Sequence, residues 1–97
     1  MFARVMHIQA KPGQLDAITA LYCEAVVPVL RLEPGFVSSL LLPDPDTGKG
    51  MSIAMWNSQE DQDTSDSVGT LQAQIHSVIP LLETPPTREG YVVELLA

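Results

Sequence analysis

Few side chains in this sequence can do acid–base, nucleophilic or redox chemistry, and they are scattered. The histidines are His7 and His76, the lone cysteine is Cys23, the lone tryptophan is Trp56, and the tyrosines are Tyr22 and Tyr91. His76 can act as a general base on an acidic phenol, because imidazole titrates near neutrality. It sits one residue past Ile75, at the edge of an apolar helical stripe, where a half-exposed polar residue is the plainer alternative. Tyr22 falls on the inner stripe of an earlier helix; it offers a phenol to a ligand, or packs in the core with its hydroxyl reaching the surface. Arg31 follows Pro28 closely and either holds an oxyanion or is an exposed helix-end cation that suits the dipole. His7 shares a strand face with Ala3, Val5 and Gln9 and reads as a hydrogen-bonded histidine at a sheet edge or interface. Asn57 has opposite strand parity to Trp56, so the two face one pocket only if the strand twists or ends there. Met51 and Met55 give the third strand a soft lining, or merely fill core.

Metal and cofactor chemistry finds little support. The two histidines have no close acidic or cysteine partner, and zinc-ligand spacings are absent. Asp44 and Asp46 flank Pro45 without the twelve-residue calcium pattern, and read as a solvated turn. Glu60, Asp61, Asp63 and Asp66 read as helix-start chemistry and solubility. No phosphate loop, dinucleotide fingerprint or nucleophile elbow is present. The expectation is no metal and no bound cofactor.

The elements that must position these residues belong to one domain of 97 residues with a net charge of −7. Residues 44–97 hold nine of the twelve acids and only two of the five bases. Such a surface repels phosphates, which argues against nucleic acid and anionic membranes as partners. A single cysteine forbids an internal disulfide and fits a reducing cytoplasm. The first residues contain Arg4 and His7 within their apolar stretch, unlike a signal peptide, and no run approaches the ~18 apolar residues of a membrane span.

Hydrophobic period sets the element order. Phe2 to Ala10 reads as a strand, and Lys11-Pro12-Gly13-Gln14 as a turn. Leu15, Ile18, Tyr22, Ala25, Val26, Val29 and Leu30 form one helical stripe, with a kink or change of helix type expected at Pro28. Glu33-Pro34-Gly35 stops that helix. Strands are expected over Phe36 to Leu42 and Met51 to Asn57, joined by a polar hairpin loop. Ser58 is a plausible N-cap with Asp61 three residues on, and the run from Gln59 to Ser67 reads as a short helical turn and then a break. Val68, Leu71, Ile75, Val78, Ile79 and Leu82 mark a second main helix, and Arg88 to Leu96 the last strand. Val26-Val27-Pro28-Val29-Leu30 and Val78-Ile79-Pro80-Leu81-Leu82 nearly repeat each other 52 residues apart. Two β-α-β units, a ferredoxin-like βαββαβ domain with an antiparallel sheet, account for that repeat. The strands are largely apolar on both faces, whereas two helices cover only one. The uncovered face predicts a homodimer with two sheets packed against each other.

Three stretches carry a wider resemblance: Lys11-Pro12-Gly13 after the first strand, Val27-Pro28-Val29-Leu30 leading into Glu33-Pro34-Gly35-Phe36, and Met55-Trp56-Asn57-Ser58-Gln59-Glu60 closing the third strand. In their order and spacing they resemble the antibiotic biosynthesis monooxygenase domain family, over essentially the whole chain. The resemblance implies a homodimeric α+β barrel with a pocket between sheet and helices in each subunit. It also implies a cofactor-independent monooxygenase acting on a small apolar aromatic, quinol or anthrone-like, which ionises and passes an electron to oxygen. Trp56 then walls the pocket and His76 is the base, with Tyr22, Met55, Asn57 and Arg31 around the substrate. Haem degradation, found elsewhere in that superfamily, is disfavoured because the first strand lacks the asparagine those enzymes use. The competing expectation is a non-catalytic, stress-related or ligand-binding dimer of the same fold; a lactone isomerase or dismutase-like activity is a third. Convergence of Trp56, Tyr22 and His76 on one cavity favours the enzyme; a solvent-facing His76 disfavours it.

Overall fold

The computed structural model describes every residue other than Val68, and every side chain of those other than that of Thr70. In chain order the elements are β1 (Phe2–Gln9), α1 (Leu15–Leu21), a π-helical stretch (Tyr22–Val26), α2 (Val27–Leu30), β2 (Phe36–Pro43), β3 (Lys49–Trp56), α3 (Gln59–Ser67), α4 (Thr70–Val78), a 3-10 turn (Ile79–Leu81) and β4 (Thr87–Val92). The sheet has the order β2-β3-β1-β4, and every neighbouring pair is antiparallel. This is the ferredoxin-like α+β arrangement that the repeat predicts. No described helix is long and apolar enough to cross a membrane.

Pro28 acts on the backbone ahead of it. Its ring clashes with the carbonyl four residues back and it has no N–H to donate, and the preceding turn widens to π geometry at Tyr22–Val26. The widened turn shifts the helix phase, so Ala25, expected on the inner stripe, is exposed while Val26 and Leu30 pack inward. At Pro80, the matching position, the helix instead tightens into the 3-10 turn.

Two expectations need correction, and one lies outside the described residues. Gln59–Ser67 forms a full helix of nine residues. The Ser58 hydroxyl accepts the Asp61 N–H at 3.2 Å, and the Thr64 hydroxyl donates to the Glu60 carbonyl at 3.0 Å. Its buried face carries Gln62 and Ser65, so apolar periodicity gives no sign of it. Val68, expected at the head of the second helix, lies outside the described residues. The last strand ends at Val92, because Phe2↔Val92 is the final rung β1 provides. The Val93 N–H still donates to the Met1 carbonyl at 3.0 Å, and beyond it Leu95 is 83% exposed.

Gly35, in the turn just before β2, has φ +75°, and a Cβ there would fall on the Asp61 carboxyl. Its carbonyl accepts the Asn57 N–H at 2.8 Å. Only glycine combines that backbone angle with such close approach, so the turn after α2 locks to the start of α3. The covered face of the sheet holds the core: Leu30, Ala54 and Trp56 form one cluster, and Ala10, Ile18 and Leu82 another. On the other face Leu40, Leu42 and Tyr91 are each about half exposed.

Candidate functional site

Strand alternation puts Arg4, Met6 and Ile8 of β1 beside Ser52 and Ala54 of β3 on the covered face. Above them run Ile18 and Leu21 of α1, Tyr22 and Val26 of the π stretch, and Leu71, Gln74, Ile75 and Val78 of α4. A cavity of about 70 Å³ lies between these layers, and Leu30, Leu41 and Pro86 complete its lining. Its lining is overwhelmingly apolar; Arg4, Tyr22, Ser52 and Gln74 are its polar side chains.

Arg4 is the unusual member, only 4% exposed. A buried guanidinium must be paired and hydrogen-bonded to be tolerated. Its Nη1 donates to Asp66 Oδ1 at 2.6 Å and reaches Ser65 Oγ at 3.5 Å, both on α3. Its central carbon lies 4.6 Å from the centre of the Trp56 ring, a cation–π contact that also fixes the plane of the fork. The same Asp66 carboxylate has Arg88 of β4 at 3.9 Å from its other oxygen. One carboxylate is therefore within reach of two guanidinium groups, the buried Arg4 and the more exposed Arg88.

Two further groups bear on the site. Burial pushes the Tyr22 phenol above its ordinary value, against the downward pull of Ser39, Arg4 and Ser52. The phenol is a hydrogen-bond donor at neutral pH and not a base. Gln74 Nε2 is buried without a hydrogen-bond partner, a condition that costs about 1–3 kcal/mol and that a bound acceptor relieves.

Of the residues singled out by sequence, Tyr22 alone lines this cavity. Trp56 is fully buried against Leu30, Ala54, Val26 and Phe36, and meets Phe36 edge-on at 5.9 Å between ring centres. It backs Arg4 from behind. His76 is exposed on α4 and does not line the cavity, although its neighbour Ile75 does. Met55 is buried, but strand parity puts it on the opposite face, paired with Ala3 and Ser38. Asn57 is exposed just past β3. Arg31 lies on a separate outer groove, which shares Tyr22 and Leu41 with the cavity. The convergence of Trp56, Tyr22 and His76 on one pocket does not occur.

Arg4 and Gln74 escaped the sequence reading. For Arg4 a signal existed: it shares strand parity with Phe2, Met6 and Ile8, so alternation alone requires a buried partner for it. Gln74 carries no such mark, since a glutamine beside an apolar stripe is ordinary. Among the described residues no group of three His, Cys, Asp or Glu side chains comes together.

Comparison with known proteins gives a consistent picture. A family model described as antibiotic biosynthesis monooxygenase matches residues 1–73. No match is found among curated proteins. Among solved structures, a Deinococcus radiodurans protein assigned to the antibiotic biosynthesis monooxygenases superposes with a TM-score of 0.82 at 15% identity, covering 100% of this chain and 96% of that one. The monooxygenase ActVA-Orf6 of Streptomyces coelicolor, in complex with nanaomycin D, gives 0.80 at 20% identity, with 99% and 89% covered. A variant of SnoaB, a cofactor-independent oxygenase from Streptomyces nogalater, gives 0.75 at 14% identity, with 98% and 94% covered. At these identities the likeness is one of fold.

Proposed function

Because the chain belongs to the antibiotic biosynthesis monooxygenase family, we propose that it is a cofactor-independent monooxygenase acting on a small apolar aromatic, quinol or anthrone-like, in the cavity between sheet and helices. The observation that carries this reading is the apolar cavity itself, with polar groups confined to Arg4, Tyr22, Ser52 and Gln74. An apolar wall desolvates and orients an aromatic ring, and few, placed polar groups fix its oxygen. For an anthrone-like substrate the balance is a ring methylene plus O2 giving a ring carbonyl plus water. The two C–H bonds break, one oxygen atom stays on carbon, and the other leaves as water. The electrons come from the ionised substrate, so the protein supplies desolvation, orientation and a hydrogen bond from Tyr22.

The volume of about 70 Å³ is under half that of an apolar cavity of ~150 Å³ that takes up benzene, so it holds only part of a ring. A fused ring system extends past Tyr22 and Leu41 into the outer groove that holds Arg31. Trp56 acts by setting Arg4 and not as a wall against substrate. His76, Met55 and Asn57 have no place at the cavity of a single protomer. The half-exposed Leu40, Leu42 and Tyr91 of the uncovered face support a homodimer formed through that face.

A second reading, a non-catalytic dimer that binds a small apolar ligand, is favoured by one observation: no histidine or carboxylate lines the cavity. Oxygen uptake separates the two. The purified protein is given anthrones, naphthols and hydroquinones with no added metal, flavin or haem. Uptake above the uncatalysed rate, reduced about three- to tenfold by Tyr22→Phe through the lost hydrogen bond, is the expected result. Background rates across the panel, with binding retained, would leave the binder.

A further inference from the structure

The uncovered face of the sheet carries little charge, and what it carries is gathered in one cluster. Of the twelve acids in the chain, Glu89 alone lies within a strand. Strand parity puts it on the open face with Tyr91 of β4 and His7 of β1. The His7 Nε2 donates to Glu89 Oε1 at 2.9 Å, and the Tyr91 hydroxyl donates to the other carboxylate oxygen. The Tyr91 contact, followed by that of His7, holds the Glu89 carboxyl below its ordinary value. The neighbouring strands bring no ionisable group to these three: β3 gives the face methionine and isoleucine side chains, and β2 gives it serine and leucine. The next charge on the face is Lys49, at the rim of β3 opposite Gln9, where it acts on Asp44 of the hairpin.

Two copies of a chain with a net charge of −7 repel each other over most of their surfaces, and this acid-poor face is where a second copy can approach. Packing face to face withdraws Glu89 from water, and an ionised carboxylate in a dry contact needs a cation beside it. His7 is the group in place to supply one, and only when it is protonated. We propose that the His7–Glu89 pair is a proton switch on self-association: the dimer holds His7 as imidazolium against Glu89, and loss of that proton opens it. The inference rests on the reading of this face as the homodimer interface. With neutral imidazole each protomer carries an unbalanced negative charge into the contact, and two-fold symmetry doubles it. With imidazolium each pair is neutral, and the Tyr91 hydroxyl satisfies the second carboxylate oxygen. Association therefore takes up protons. The stabilisation is present while the imidazole is charged and is lost as pH rises past neutrality. With one proton taken up per protomer, the dissociation constant climbs by at most about a hundredfold per pH unit.

The test is sedimentation equilibrium of the intact protein from about pH 6 to about pH 8.5, the range in which imidazole loses its charge. The expected result is a dissociation constant that rises about tenfold or more across that range. Glu89→Gln removes the charge that needs compensation. It should abolish the rise and leave a dimer tighter than the wild type at the alkaline end, a gain that a folding defect would not produce. His7→Gln removes the cation and should give a flat profile at the weak, alkaline value of the wild type. A rise that persists in either variant would overturn the switch, because the titrating group would then lie elsewhere. A wild-type dimer whose dissociation constant ignores pH, or falls as pH rises, would also overturn it while leaving the interface in place. A chain that stays monomeric at every pH, or a dimer that Leu40→Glu with Leu42→Glu fails to dissociate, would instead remove the interface reading on which the switch depends.

Discussion

The two faces of one sheet have opposite fates in this protein. On the covered face Trp56, Ala54 and Arg4 are almost wholly withdrawn from solvent, and Ala54 and Arg4 line a chamber. On the other, Leu40 and Leu42 of β2 and Tyr91 of β4 stay about half exposed. Adjacent residues of the same strand supply both, since side chains alternate from face to face. Each face also contains charge. On the covered side Arg4 is locked by Asp66 and by the Trp56 ring. On the open side the Glu89 carboxylate accepts from His7 Nε2 at 2.9 Å and from the Tyr91 hydroxyl, in the presence of water. The same residue types therefore serve a fixed site on one side and an adaptable surface on the other, and desolvation makes the difference.

The comparison breaks most visibly at Trp56. Trp56→Ala should cost about 3–5 kcal/mol in a urea melt, because it empties the best-packed point of the covered face and removes the backing of Arg4. A loss below ~1 kcal/mol would mean that the covered face is no more tightly built than the open one. Next in size is the open face. Leu40→Glu combined with Leu42→Glu should shift sedimentation from dimer to monomer, raising the dissociation constant by about two orders of magnitude through lost apolar burial. The stability of the monomer itself should stay within ~0.5 kcal/mol, as for other surface changes. If the doubly substituted protein sediments like the parent, the partner surface lies elsewhere.

Smaller effects sharpen the contrast. His76→Ala, on the solvent side of α4, should leave oxygen uptake within about twofold and stability within ~0.5 kcal/mol. A large fall in rate would bring His76 back as the base. Smallest is Tyr91→Phe. The Tyr91 hydroxyl, followed by His7, holds the Glu89 carboxyl below its ordinary 4.5. A depressed carboxyl contributes stability above its unfolded pKa and loses it as pH falls through the folded value. The variant should therefore raise the Glu89 pKa toward 4.5 in an NMR titration and flatten the acid limb below it. An unchanged Glu89 titration would show that the contact is not made in solution.

Much of the fold was legible because its signals are local. Pro-Gly turns, the i, i+3, i+4 stripes and the near-repeat around Pro28 and Pro80 lead to the βαββαβ order, and Pro28 announces the change of helix type. What misled was structure carried by polar residues. The buried face of α3 is Gln62 and Ser65, invisible to an apolar pattern. Ala25 fits the stripe of a regular helix and falls off it only because the π turn inserts extra rotation. The site was less legible than the fold. Sequence pointed to His76 and Trp56 because their types suit catalysis, whereas the chamber is lined by Tyr22 with Arg4 and Gln74.

By itself the sequence determined the order of the elements, the antiparallel α+β class, the division of each strand into two apolar faces and the excess of negative charge. These follow from period, turn chemistry and composition, all of which act over a few residues. Tertiary structure decided which polar groups meet. Arg4 and Asp66 are 62 residues apart in the chain, and Gln74 faces the same chamber from a different helix. Their meeting depends on the twist of the sheet, the phase of a π turn and the angle at which α3 and α4 settle over β1. Those are properties of the packed whole, where burying a guanidinium leaves it no choice but the one carboxylate within reach.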